Sequence, residues 1–306
     1  MFQVYLPIAE MALSAPLLII IGGCIGFLSG FFGISGGFLL TPLLIFVGVP
    51  PAIAVGTQAN QAVASACAGM LGHRRRRNVD FRLALYMLAG SAGGTLVGSW
   101  VFGWLQEIGQ IDFIIALLYV TLLGSIGGIM LLESSRLLLR QRDNPAATPP
   151  IRRVPELLQK LPFKIIFPTS GLEISLLVPV LLGFFTGVTT VILGLGGSLL
   201  VPAMIYLLAM PTALVAGTSL FQVIFTSGAA TALHAINHQN VDIVLALALM
   251  VGAVIGAQVG ARFAGRIRPD LARWLLALIL LGIAVKLFFD LTVPPDMPFS
   301  WEAVPS

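Results

Sequence analysis

Ten apolar segments, most of them at or near the length that crosses a bilayer, fall in two series of five and fill most of a 306-residue chain. The first series runs 17–32, 38–49, 52–71, 83–105 and 111–132; the second runs 174–193, 198–208, 213–233, 243–263 and 271–291. A straight helix needs about 20 residues to span the hydrocarbon core. The segments 38–49 and 198–208 fall short of that and are read as tilted, broken or re-entrant helices. The chain is 58% apolar and only 10% charged, far from a soluble average. Its 17 Lys and Arg outnumber 13 Asp and Glu, but most arginines sit beside apolar spans, which marks membrane orientation and not a nucleic-acid surface. The expected fold is an all-α polytopic membrane protein with two five-segment repeats and eight to ten crossings.

Loop charge predicts how the segments face. His73 to Arg77 with Arg82 is the richest basic cluster and is expected in the cytoplasm, whereas the next connection carries only Glu107 and Asp112. Lys and Arg return from Arg136 to Lys164, are absent from His234 to Asp242, and return again at Arg262, Arg266, Arg268 and Arg273. Equivalent loops of the two halves therefore fall on opposite sides, so the repeats are expected to be inverted, with both termini periplasmic in a bacterial inner membrane. The predicted division is a first repeat at 1–140, a cytoplasmic linker at 141–173 and a second repeat at 174–306. Pro155 to Leu161 could form an interfacial turn within that linker or simply be solvated. The stretch 1–16 lacks the basic n-region of a secretory signal, so 17–32 is expected to stay in the mature chain.

Glycine breaks recur at equivalent places. Gly36-Gly37 precedes Thr41-Pro42 and then Gly56-Thr57-Gln58-Ala59-Asn60-Gln61; Gly196-Gly197 precedes Pro202 and then Gly217-Thr218-Ser219-Leu220-Phe221-Gln222. Glycine at bilayer depth frees backbone N–H and C=O groups, which must then face protein, water or a ligand. A short helix starting at such a glycine presents unpaired N–H groups to an anion, the arrangement that inverted-repeat transporters bring to the midplane.

Thr57, Gln61 and Ser65 form a polar column at helical spacing, and Thr218, Gln222 and Thr226 form its counterpart. Both columns are candidates to contact a ligand, with interhelical hydrogen bonding as the other use for such residues. Gln58 and Asn60 face Ser219 and Phe221 across the repeat, so their contribution to a site would be asymmetric. The substrate-binding set is therefore Gly36, Gly37, Thr57, Gln58, Asn60, Gln61, Gly196, Gly197, Thr218, Ser219 and Gln222.

Gly90, Gly94 and Gly98, and likewise Gly252, Gly256 and Gly260, present small faces for close helix packing, within one chain or in a homodimer. Charged residues lie at segment ends, and His73, His234 and His238 are placed at loop edges in solvent, with a gating role for the first two left open. Cys24 and Cys67 sit in apolar runs without metal-ligand spacing. There is no His-Glu-x-x-His, Gly-x-Ser-x-Gly or phosphate-binding loop, so neither an enzyme nor a cofactor is expected.

The run Gly26-Phe-Leu-Ser-Gly30-Phe-Phe-Gly33-Ile-Ser-Gly36-Gly37-Phe-Leu-Leu-Thr41-Pro42, with Gly56-Thr57 beyond it and the copy in the second half, resembles the TauE/SafE sulfite exporter family of bacterial membrane transporters. The likeness spans nearly the whole chain. It implies export of a small anion, with sulfite, sulfoacetate or a related sulfonate as the class, by a secondary transporter in the lipid bilayer. An anion channel and a structural membrane scaffold are the alternatives.

Overall fold

The computed structural model describes residues 3–32, 37–75, 79–143, 162, 164–197, 199–210, 212–263 and 269–292. Gly36, Arg76, Arg77, Ser198 and the Pro155 to Leu161 segment lie outside the described residues. The first half comprises β1 (Gln3–Leu6), β2 (Met11–Ser14), α1 (Ala15–Phe32), α2 (Gly37–Phe46), α3 (Pro51–Arg75), α4 (Phe81–Glu107) and α5 (Ile111–Asp143). The second comprises β3 (Lys164–Phe167), β4 (Leu172–Ser175), α6 (Leu177–Leu193), α7 (Leu200–Tyr206), α8 (Thr212–Leu233) with a π-helical turn at His234–His238, α9 (Ile243–Phe263) and α10 (Pro269–Thr292).

The fold is that of an all-α membrane protein. Among the described residues four stretches are long and apolar enough to cross a membrane: Phe81–Glu107, Ile111–Leu132, Leu214–His238 and Ile243–Gly260. Large apolar side chains such as Leu96, Trp100, Leu247 and Ile255 stand exposed on their outer faces, as a surface in contact with lipid requires. The two short segments are short helices, α2 with Pro42 inside it and α7 with seven residues.

Two β-hairpins are additions to the sequence-based picture. β1 pairs antiparallel with β2 and β3 with β4, with Leu6 opposite Met11 and Phe167 opposite Leu172. Each turn takes a left-handed residue, Glu10 at φ 52° and Gly171 at φ 65°. The second hairpin occupies the end of the stretch read as linker.

The halves exchange helices. α1 packs on α9, α4 on α6, α3 on α8 and α5 on α10, so every major pair draws one helix from each half. Glycine makes the closest of these contacts. A Cβ on Gly90 would overlap the carbonyl of Val180, one on Gly94 that of Phe184, and one on Gly183 that of Met87. Between α1 and α9, Gly22 and Gly26 meet the carbonyls of Leu249 and Ala253, while Gly252, Gly256 and Gly260 meet those of Ile19, Gly23 and Phe27. Both glycine stripes are thus occupied inside the chain, on α6 and on α1, and not on one another.

These contacts also order the helix directions. Residue numbers rise together along α1 and α9 and along α4 and α6, so each of those pairs is parallel. The turn before α1 is hydrogen-bonded to Asp242 at the start of α9, and Asp242 is bonded to Thr57 near the start of α3. α1, α3 and α9 therefore begin at one end of the molecule. α4 begins where α3 ends, so α4 and α6 begin at the other end.

Candidate functional site

The two ends are built alike, from a carboxylate, a threonine and a hairpin turn. At one end Asp242 Oδ1 accepts the N–H of Leu245 at 3.0 Å and Oδ2 accepts the N–H groups of Ile8 and Ala9 at 3.0 and 3.4 Å. At the other, Asp80 Oδ1 accepts the N–H of Leu83 at 3.1 Å and Oδ2 accepts the Ser170 hydroxyl at 2.8 Å. Both carboxylates are fully buried and cap the first turns of α9 and α4, where unpaired N–H groups favour negative charge.

The site threonines belong to these caps. Thr57 Oγ1 accepts the N–H of Asp242 at 3.0 Å, and Thr218 Oγ1 accepts the N–H of Asp80 at 3.0 Å. Each threonine thus anchors the opposite half, and its hydroxyl is already engaged.

The glycine breaks converge on Gln58. A Cβ on Gly37, the first residue of α2, would overlap Gln58 Nε2, and one on Gly194, just past the end of α6, would overlap Gln58 Oε1. Gly194 has φ 65° and Gly196 φ 53°, so the chain turns left-handed as α6 stops. Gln58 is fully buried, and neither its Nε2 nor its Oε1 has a hydrogen-bond partner. A buried amide without partners costs roughly 1 to 3 kcal/mol, and Gln58 keeps its donors and acceptor unspent where Gln61 and Gln222 spend a donor.

The second break differs. Gly196 and Gly197 precede α7 without opening it, since α7 begins at Leu200. A Cβ on Gly197 would overlap a methyl group of Val223, with the carbonyl and Cβ of Ser219 beside it, so no amide lies against this glycine. Ser219 Oγ turns back to the carbonyl of Ala216 at 3.1 Å.

Gln61 and Gln222 are buried on α3 and α8, with Ala62, Ala66 and Val223 packed between those helices. Each spends an amide donor inside its own column: Gln61 Nε2 donates to Ser65 Oγ at 2.9 Å and Gln222 Nε2 to Thr226 Oγ1 at 3.2 Å. Thr226 in turn bonds Ser91 of α4 at 3.1 Å, and Gln222 Oε1 has no partner. Asn60 is half-buried, and Phe221, its counterpart, packs edge-on against Phe81.

His234 is not at a solvated loop edge. It is fully buried in the π-helical turn, with Nε2 2.9 Å from the carbonyl of Val191 and its ring edge-on to Phe102. His238 follows one turn later, with Nε2 3.1 Å from Ser99 Oγ. The cause is that α8 ends at Leu233 as its apolar pattern predicts, but the chain continues as a π-helical turn that carries both rings in beside Phe102 of α4. Tyr119 of α5 went unnoticed in the sequence. Its hydroxyl donates to the carbonyl of Leu193, the last residue of α6. A lone tyrosine in the middle of an apolar span was the available signal, because a buried phenol needs a partner.

The first break thus offers a neutral amide and the N–H groups at the start of α2. Among the described residues no three His, Cys, Asp or Glu side chains come together as a metal site. An open groove of about 530 Å³ between α1 and α9, lined by residues such as Ile19, Cys24, Phe27 and Val259, is apolar and gives an anion nothing to bind.

The family model described as "Sulfite exporter TauE/SafE" matches residues 18–287. A "Probable membrane transporter protein YjnA" of Bacillus subtilis is 29% identical over 273 residues, covering 88% of this chain and 98% of that protein. A "Probable membrane transporter protein" of Xylella fastidiosa is 33% identical over 273 residues, covering 86% of this chain and 91% of that protein. No solved structure matches.

Proposed function

Because the chain belongs to the sulfite exporter TauE/SafE family, whose members are membrane transporters and not enzymes, we propose that it is a secondary transporter that exports a small sulfur-containing or organic anion, of the class of sulfite, sulfoacetate or a related sulfonate, across the inner membrane by alternating access.

The observation that carries this reading is the Gln58 amide, buried without a partner between the start of α2 and the end of α6. An amide offers two N–H donors to a sulfonate or sulfite oxygen. The N-terminal N–H groups of α2 add positive potential, without the cost of burying a lysine or arginine. Several neutral donors hold an anion weakly enough to release it. The broken helices enter from both halves, as in inverted-repeat transporters, and the like-built Asp–Thr–hairpin caps at the two ends give the molecule matched places to open in turn. In this reading Arg74 to Arg77 and the linker face the cytoplasm and both termini face the periplasm.

Proteoliposomes loaded with a panel of sulfur-containing anions test the activity. Uptake that saturates and responds to an opposing ion gradient marks a transporter, linear flux marks a channel, and no flux of any member removes the reading. Topology is checked by cysteine labelling from the periplasmic side. Asp143→Cys is expected to stay unlabelled and Ala303→Cys to be labelled, and the reverse pattern overturns the orientation.

A further inference from the structure

We propose that the oxygen of the Gln58 amide, with the backbone carbonyls of Val55 and Gly194 and the hydroxyl of Thr41, forms a site for an alkali-metal cation, and that this cation binds as a pair with the anion at the amide nitrogen. The cation site stands on the geometry around Gln58; the pairing rests on the transporter reading.

The two ends of the amide meet different helix ends. Nε2 lies against Gly37, the first residue of α2, and Oε1 lies against Gly194, the residue that caps the end of α6. The start of a helix favours an anion and its end a cation. An amide nitrogen donates and an amide oxygen accepts, so each end of Gln58 suits the ion that its helix end attracts. An anion at Nε2 leaves Oε1 fully buried and still without a donor. A positive charge answers that oxygen.

More oxygen gathers at the same place. The Cβ that Gly194 lacks would overlap Oε1 and lie 3.3 Å from the carbonyl oxygen of Val55, three residues before Gln58 on α3. The Cβ that Gly37 lacks would lie 3.0 Å from the carbonyl oxygen of Gly194. Thr41 stands one turn on from Gly37, on the same face of α2. Its hydroxyl is fully buried and has no hydrogen bond, whereas those of Thr95, Thr186, Thr190 and Thr231 return to a carbonyl of their own helix.

All four ligands are neutral. α2 and α6 carry no Asp, Glu, Lys or Arg, and the first charged side chain on α3 after Gln58 is Arg74, about 24 Å further along the helix. Asp242, bonded through its N–H to Thr57, spends its oxygens on the N–H groups of Leu245, Ile8 and Ala9, so it adds negative potential and not a ligand. Calcium and magnesium call for carboxylates and zinc for nitrogen or sulfur, none of which the set contains. Carbonyls, an amide oxygen and a hydroxyl suit a singly charged hard cation, sodium or potassium. With a cation and an anion at the two ends of one amide, the loaded site is closer to neutral than with either alone, as a membrane interior favours.

Thermal unfolding of the purified protein, without any sulfur anion, tests the cation site when sodium or potassium chloride replaces N-methyl-D-glucamine chloride at constant ionic strength. The midpoint is expected to rise saturably by about 3 °C or more in at least one of the two salts. Gln58→Met should remove the rise and Thr41→Val should weaken it. Gln58→Glu, at about pH 8, should bring half-saturation to a roughly tenfold lower cation concentration. Gln222→Met, which removes the other buried glutamine oxygen without a partner, should keep the wild-type response. The proposal is overturned by a wild-type midpoint that is the same in all three salts, or by a full response in Gln58→Met or Thr41→Val. For the pairing, the probe is sulfoacetate as its N-methyl-D-glucamine salt. Its affinity in calorimetry should be about tenfold higher in the stabilising alkali salt, and equal affinities overturn the pairing. If sulfoacetate binds in none of the salts, it is the anion reading that fails, and the unfolding still decides the cation site.

Discussion

The two glycine breaks start from nearly the same sequence and end in different chemistry. At the first, Gly37 opens α2 and leaves room for the Gln58 amide; at the second, Gly197 lies against Val223 and Ser219, ahead of a seven-residue α7. The outer framework does not diverge in this way. Thr57 and Thr218 do the same work for Asp242 and Asp80, and each hairpin turn meets the cap of the opposite half. The parts that hold the halves together are alike, whereas the surroundings of the two glycine breaks differ.

The sharpest way to break this contrast is to change the charge at Gln58. Gln58→Glu keeps the shape and sets a carboxylate beside the anion; at about 4 Å and an effective dielectric near 20 the repulsion is roughly 4 kcal/mol, about three orders of magnitude in affinity. Ser219→Asp, at the corresponding place in the second half, should weaken binding far less. Equal losses from the two, measured by calorimetry on monodisperse protein, would mean that both breaks hold the ligand.

The glycine contacts supply the next largest effect, on stability instead of binding. Gly94→Val and Gly256→Val each force a side chain into a backbone carbonyl of the partner helix, of Phe184 and of Gly23. Such overpacking costs roughly 1 to 3 kcal/mol and at times more. Both variants should lose most of their folded yield in fluorescence-detected size exclusion. Gly124→Val, where a Cβ meets nothing within 4 Å, should behave as wild type.

Much of this was legible in the sequence, and what was not has a common cause. The ten segments, the short broken helices and the two polar columns all follow from local patterns of hydrophobicity and spacing. The roles of Thr57 and Thr218 did not, because their partners lie 185 and 138 residues away in the other half. The hairpins were hidden because four-residue strands in an apolar chain show no contrast of alternation. His234 was misplaced because the apolar pattern ends with α8 at Leu233, whereas a π-helical turn follows and directs the ring inward. Gln58 was named as a candidate from its position, but only the structure distinguishes it from Gln61 and Gln222 by the state of its amide.

A pair of threonine variants sharpens the other side of the comparison. Thr57→Val and Thr218→Val each leave a buried N–H without an acceptor, at a cost of roughly 1 to 3 kcal/mol. If the framework is symmetric the two should lower the melting temperature by similar amounts, and neither should alter the affinity of the surviving protein beyond about twofold. A large affinity loss in one of them would put that hydroxyl in the ligand site.

The smallest effect expected is at the paired glutamines. Gln61→Ala and Gln222→Ala each remove an amide donor already spent within its own helix, on Ser65 and on Thr226. The direct loss is therefore about 1 kcal/mol of stability apiece. The two should nonetheless differ. Gln61 loses a bond that ends at Ser65, whereas Thr226 goes on to Ser91 of α4, so Gln222→Ala also loosens the start of a chain that joins the two halves. A double-mutant cycle isolates that difference: Gln222→Ala combined with Ser91→Ala should show a coupling of about 0.5 kcal/mol or more in denaturant melts, and Gln61→Ala combined with Ser91→Ala none. Strong coupling of Gln61 to Ser91 would show that the columns act as one polar unit across α3 and α8. Both glutamines would then have to be placed with Gln58 in the ligand site.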